Sequence, residues 1–213
     1  MRRPHPNALL IADLLRKEYS RKAEAARKKD TAGVIDKRDE MLDILDENGN
    51  SINKLKKRSR VHKDGNWHRT VHVWIISSNN KVLIQKRAFG KLTYPDMWDI
   101  SCAGHVESGS TSRMSAIRET KEELGIDLSL LELKKVGSVR QTYKNRDIHD
   151  NEIVDIFLVY RDISINKCHL QKSEVSQVRL ILLAELKLRI DNRDESFVPH
   201  TNEYRLMFQI LGV

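Results

Sequence analysis

Arg118, Glu119, Glu122 and Glu123 crowd four charges into one short run, and their spacing suits metal chemistry. On a helix, Glu119 and Glu123 are four residues apart and share a face, with Glu122 one turn from Glu119. Carboxylates held this close repel one another. A divalent cation relieves the repulsion, and hard ions such as Mg²⁺ or Mn²⁺ prefer carboxylate oxygens. The opposite side of the run carries Ala116, Ile117, Thr120 and Leu124, which can pack on a sheet. Gly125 then closes the helix, as a glycine just past a C-terminus does. Taken without its flanks, such a cluster reads as a solvated helix whose glutamates pair with Arg118 and Lys121.

The flanks change that reading. Gly104, Arg118, Glu119, Glu122, Glu123, Gly125 and Ile126 stand in register with the Nudix box, and residues 104–126 resemble it as a whole. The box runs Gly, five residues, Glu, seven residues, then Arg-Glu-aliphatic-any-Glu-Glu-any-Gly-aliphatic. Two positions depart from it: Ser110 stands where the first Glu belongs, and Thr120 replaces an aliphatic residue. The resemblance implies a hydrolase that cleaves a diphosphate with Mg²⁺ or Mn²⁺. Glu119, Glu122 and Glu123 would hold the metal together with the Ala103 carbonyl, and Arg118 would pair with a box glutamate. A carboxylate outside the box commonly acts as base in the family, and Glu152 is the candidate. A hydroxyl at Ser110 cannot replace a carboxylate's charge; losing one metal contact costs about tenfold to a hundredfold. Ser110 or Thr111 is also a good N-cap for the box helix.

The likeness extends to one branch of the family. His62-Lys63-Asp64-Gly65-Asn66-Trp67-His68, Gln85-Lys86-Arg87-Ala88 and Tyr94-Pro95-Asp96-Met97-Trp98-Asp99 are similar to isopentenyl-diphosphate isomerases and their hydrolase relatives, including the Nudix domain that precedes dipeptidyl-peptidase III in plants. With the box, this covers about residues 41–161. His62, His68 and His105, with Asp150 and Glu152, match the isomerases' second metal site, and Arg87 and Lys91 match residues on the diphosphate. A planar guanidinium plus a point charge suits such a ligand. The isomerases' catalytic Cys falls at Ala103 here, and Cys102 is one residue early. On a strand that offset sends the side chain to the other face, so Cys102 reads as a small core residue. Glu119 and Glu122 also depart from the isomerase pattern. The sequence therefore reads as a hydrolase on an isomerase-like scaffold. A non-catalytic binder of a diphosphate or nucleic acid is the second reading, prompted by Ser110 and the basic N-terminus; an isomerase is the third.

These residues need a scaffold. Leu42–Leu45 before Asp46-Glu47-Asn48-Gly49-Asn50 predicts a hairpin. Residues 72–76 and 81–87 predict antiparallel strands, and 98–102 a strand leading into the box helix. Further strands are expected at 134–143 and 152–161, one after Glu174, Val175 and Val178, and helices at 183–190 and 204–211. Strands mixed with a few helices predict an α/β/α sandwich, an α/β (α+β) fold around a mixed sheet. Residues 1–40 are expected to be a basic helical extension, a packing arm or dimer contact, and residues 41–213 the domain that the Nudix resemblance implies.

The net charge of +8 over 213 residues is unevenly spread. Residues 1–29 hold nine Lys or Arg against three Asp or Glu, a balance of +6. A second basic cluster at Lys54, Lys56, Lys57, Arg58 and Arg60 could draw in an anionic substrate. There is no apolar run long enough to span a bilayer and no secretory signal. Two cysteines make no disulfide framework, so a cytoplasmic location is expected, with organelle import left open by the Arg-rich start. Trp67, Trp74, Tyr94 and Trp98 could stack on a base, pack a prenyl chain or sit in the core, which leaves the substrate's organic half open. The expected partner is a small-molecule diphosphate.

Overall fold

In a computed structural model the described residues are 40–145 and 148–213. The expected N-terminal helices lie outside them. The first hairpin joins β1 (Met41–Leu45) to β2 (Ser51–Lys57). Asp46 closes its turn by accepting from the backbone amides of Asn48 and Asn50. β2 is exposed along almost its whole length, and Lys54, Lys56 and Lys57 fit the charged edge strand that resists pairing with another chain.

The end of the second basic cluster, Arg58 and Arg60, opens a helix, α1 (Arg58–Asp64), ended by Gly65 in the left-handed region at φ 67°. The sequence reading missed it because only Val61 is buried, so there is no apolar stripe to see.

β3 (Trp67–Ile76) is the hub of the sheet. It runs parallel to β8 (His149–Tyr160) over ten rungs, from Trp67 opposite Asn151 to Ile76 opposite Tyr160. It also pairs antiparallel with β6 (Cys102–His105), from Thr70 opposite His105 to Val73 opposite Cys102. β4 (Lys81–Arg87) follows β3 through a short turn and pairs with both β5 (Trp98–Asp99) and β9 (Val175–Leu182). β7 (Lys134–Lys144) is the antiparallel hairpin partner of β8.

Two sequence expectations shift. The strand expected at 98–102 is two short ones, because the Asp99 carboxylate takes the Ile100 amide at 2.8 Å and interrupts the ladder. Val175 and Val178 lie within β9 rather than before it.

Alternation along β3 sorts its side chains onto two faces. Val71, Val73 and Ile75 pack under the box helix α2 (Ser112–Leu124), with Ala116, Leu124 and Phe157. Trp74 and Ile76 pack under α3 (Leu183–Asp191) and α4 (Thr201–Leu211), with Leu186, Tyr204, Met207 and Phe208. With both faces covered, β3 is buried almost throughout. The result is the expected α/β/α sandwich around a mixed sheet.

Candidate active site

The box helix is fixed at both ends. Thr111, not Ser110, is the N-cap: its hydroxyl accepts from the Met114 amide at 3.2 Å, a contact worth about 1 kcal/mol. Gly125 takes φ 70° and donates to Thr120 and Lys121 carbonyls. The helix so fixed leans its Glu119 and Glu123 against β6. Both carboxylates are nearly fully buried, at 1% and 3% exposure. They border a cavity of about 440 Å³ together with Ala103, Gly104 and His105 of β6, His62 of α1, and Asp150 and Glu152 of β8. A side chain on Gly104 would overlap Cγ and Cδ of Glu119, so only glycine lets that carboxylate lie on the strand.

Arg118 clamps the acids from outside. Its guanidinium meets Glu119 at 3.0 Å, Glu107 at 3.1 Å, Glu122 at 3.3 Å and the His105 carbonyl at 3.3 Å. Glu122 stays on the outer side with Arg118 and does not border the cavity. Ser110 is also away from it, accepting from the Ser115 hydroxyl at 3.2 Å.

A second cluster forms where α1, β3, β6 and β8 meet. His62, His68 and His105 stand with ring centres 5.1 Å apart, and His62 Nε2 lies 3.0 Å from His105 Nε2. Asp150 Oδ1 is 3.5 Å from His68 and 3.7 Å from His62. Burial pushes His68 down to about 4 and His62 to about 3, with neighbouring cationic groups adding to the latter; His105 is lowered too. The three rings are therefore neutral, the form that ligates metal. Burial raises both Asp150 and Glu152 above the usual carboxylate range, and Asp150 lifts Glu152 further. His68 Nε2 and Asp150 Oδ1 are buried without a hydrogen-bond partner. Orphaned donors and acceptors of this kind are costly, and the set fits a divalent cation in chemistry and spacing.

Arg87 and Lys91 border the cavity but are already engaged. Arg87 donates to Asp99 at 2.9 Å, to the Thr93 carbonyl at 3.0 and 3.1 Å and to the Thr93 hydroxyl at 3.1 Å. Lys91 pairs with Glu174. Cys102 and Ala103 face opposite ways, as strand alternation requires: Ala103 borders the cavity, while Cys102 is fully buried toward α2, its thiol 3.5 Å from Glu123 Oε2.

The sequence reading gave no role to His72 or to the buried polar set around it on the cavity's far wall. His72 Nδ1 meets Glu203 Oε2 at 2.6 Å, and Trp74 Nε1 donates to Glu203 Oε1 at 2.7 Å. His200 contacts Asp99 and Gln141, both at 2.8 Å. Burial alone would lower His72, but the charge and hydrogen bond of Glu203 outweigh it and lift the ring to about 9. Burial alone would raise Asp99, yet His200, Arg87 and His72 hold it well below the usual range. The period of two along β3 was the available signal, since it sets His68, Thr70 and His72 on one face.

The NUDIX domain family matches residues 66–201, and the chain belongs to the Nudix family. Nudix hydrolase 3 of Arabidopsis thaliana is 36% identical over 180 residues, covering 81% of this chain and 23% of that protein. The chain thus spans under a quarter of that relative. An isopentenyl-diphosphate Delta-isomerase of Streptomyces avermitilis is 35% identical over 107 residues, 50% of this chain and 53% of the isomerase. A solved structure from Deinococcus radiodurans shares the fold, with a TM-score of 0.57 at 19% identity over 72% of this chain and 90% of the other. Among the described residues, no helix is long and apolar enough to cross a membrane.

Proposed function

We propose that this chain is a metal-dependent Nudix hydrolase that cleaves the diphosphate of a nucleoside- or prenyl-diphosphate type of substrate. The carrying observation is that Glu119 and Glu123, both buried, border one cavity with the Ala103–Gly104 backbone and Glu152. Glu119, Glu123 and the Ala103 carbonyl would hold Mg²⁺ or Mn²⁺, with Glu122 reaching it only by leaving Arg118. His62, His68, His105, Asp150 and Glu152 would hold a second divalent ion. Such ions, when bound, neutralise phosphate charge and acidify water. Arg118 keeps Glu119 in place, and Gly104 keeps the strand clear of it. Glu152 would accept the proton of the attacking water where it is not taken up by the second ion. Arg87 holds the loop through Thr93, which places Lys91 at the wall where an incoming diphosphate would compete with Glu174.

Two features favour hydrolysis over isomerisation: the position of the isomerase cysteine is Ala103, and the neighbouring Cys102 thiol faces the box helix instead of the cavity. Two free cysteines suit a reducing compartment such as the cytoplasm.

The test is a panel of nucleoside, prenyl and cofactor diphosphates with Mg²⁺ and Mn²⁺, run beside Glu123→Gln. Turnover that needs the metal and falls at least about a hundredfold in the variant is expected. Tight binding without product from any of them would leave a non-catalytic binder in its place.

A further inference from the structure

Resting on the hydrolase reading, we propose that His72 is a substrate-contacting residue of this site, presenting its Nε2–H to a phosphate oxygen of the bound diphosphate, and that Glu203 is its positioning residue.

A diphosphate entering this cavity meets a wall rich in carboxylates: Glu119, Glu123, Asp150 and Glu152. Metal ions would offset part of that charge, but oxygens pointing away from them still need donors. Of the cationic side chains on the cavity, Arg87 is tied to Asp99 and Thr93, Lys91 can meet a ligand only by displacing Glu174, and Arg58 and Lys63 stand on the α1 side. His200 has both ring nitrogens engaged, by Asp99 and by Gln141.

His72 differs. It borders the cavity from β3, one strand repeat beyond Thr70, with Ala103 as its cross-strand neighbour on β6. Its Nδ1 is tied to Glu203 of α4 at 2.6 Å, and its ring makes no other hydrogen bond among the described residues. A neutral ring with Nδ1–H on Glu203 would leave Nε2 an acceptor, which repels phosphate. A buried carboxylate at this distance favours the imidazolium, in which both nitrogens carry hydrogen. The two N–H directions of an imidazole diverge, so a ring anchored through Nδ1 to the α4 side carries Nε2–H away from that helix. Glu203 is itself fully buried and held by Trp74, so the ring's orientation is set before any ligand arrives. The contact would be a charge-assisted hydrogen bond, among the stronger kinds.

Methylenediphosphonate, which cannot be hydrolysed, is a suitable probe with Mg²⁺ on the full-length protein. In wild-type protein carrying ¹⁵N-histidine, long-range ¹H–¹⁵N spectra should show the His72 Nε2 signal moving as the probe saturates. For a substrate that the panel identifies, His72→Phe should raise KM about tenfold to a hundredfold, with a smaller change in kcat, and weaken the probe to match. Glu203→Gln, which keeps an acceptor for Nδ1 but removes the charge, should fall between. Circular dichroism and melting check that the variants fold; if His72→Phe does not, the wild-type titration decides. A probe that binds and moves the amide signals of Gly104 and Lys91 while His72 Nε2 stays still overturns the proposal and leaves the hydrolase reading intact. So does a folded His72→Phe with unchanged KM. Absence of both probe binding and turnover removes the hydrolase reading itself.

Discussion

Glu119 lies so close over Gly104 that the glycine's missing side chain is part of the site. The box helix and β6 touch at this point, and the contact sets how closely the Glu119 side chain lies against the strand. Gly104→Ala should therefore push the carboxylate aside while leaving the fold assembled. The expected outcome is a loss of turnover of about a hundredfold with a stability cost of about 1–3 kcal/mol. Metal-dependent rates together with a denaturant midpoint check it.

Ser110 stands outside the cavity, engaged with Ser115. Restoring the box acid with Ser110→Glu should then change rate and stability by no more than about twofold. Steady-state kinetics with Mg²⁺ settle the point. A gain of tenfold or more would mean that the first acid of the box takes part directly.

The histidine cluster should bind an ion apart from the box. Adding Mn²⁺ to chelator-treated protein should raise the melting temperature, and an excess of about a hundred times Kd corresponds to about 2.7 kcal/mol. His68→Ala should remove most of that rise, because His68 Nε2 is, with Asp150 Oδ1, one of the cluster's two orphaned atoms. An equal rise in the variant would place the ion elsewhere.

The His72–Glu203 pair predicts a pH window for stability. His72 is raised from 6.5 to about 9, so its contribution is complete below about pH 6.5 and is lost as pH climbs through 9. Burial would raise Glu203, but His72 and other partners lower it; that contribution is present above its ordinary value of 4.5 and fades as pH falls further. At neutral pH the His72 part is on the order of 2–3 kcal/mol. Urea midpoints of metal-free protein from pH 6 to 10 should show a fall through pH 9 that His72→Gln lacks.

Much of this site was legible because the box is local. Gly104, Glu119, Glu123 and Gly125 sit within one strand, one turn and one helix, so spacing alone places them. The hairpin at Asp46–Asn50 was legible for the same reason: turn chemistry acts over four residues. The far wall was not. Glu203 meets His72 across 131 residues of chain, and no period or motif links them. Their meeting depends on α4 docking over Trp74, a packing event with no local signature. Arg87 and Lys91 border the cavity, but their partners Asp99 and Glu174 become visible only in three dimensions. The helix at Arg58–Asp64 hid inside a charge run because one buried valine gives no stripe.

His68 and Glu152 occupy the same rung between β3 and β8. Slipping one strand past the other by a single residue would turn every candidate ligand on it to the opposite face, and ten rungs oppose that slip. The donor atoms are thus pre-spaced by the ladder itself. Were the cluster to hold the second ion proposed above, exchanging one candidate ligand for another along these two strands would retune ion preference without rebuilding the backbone.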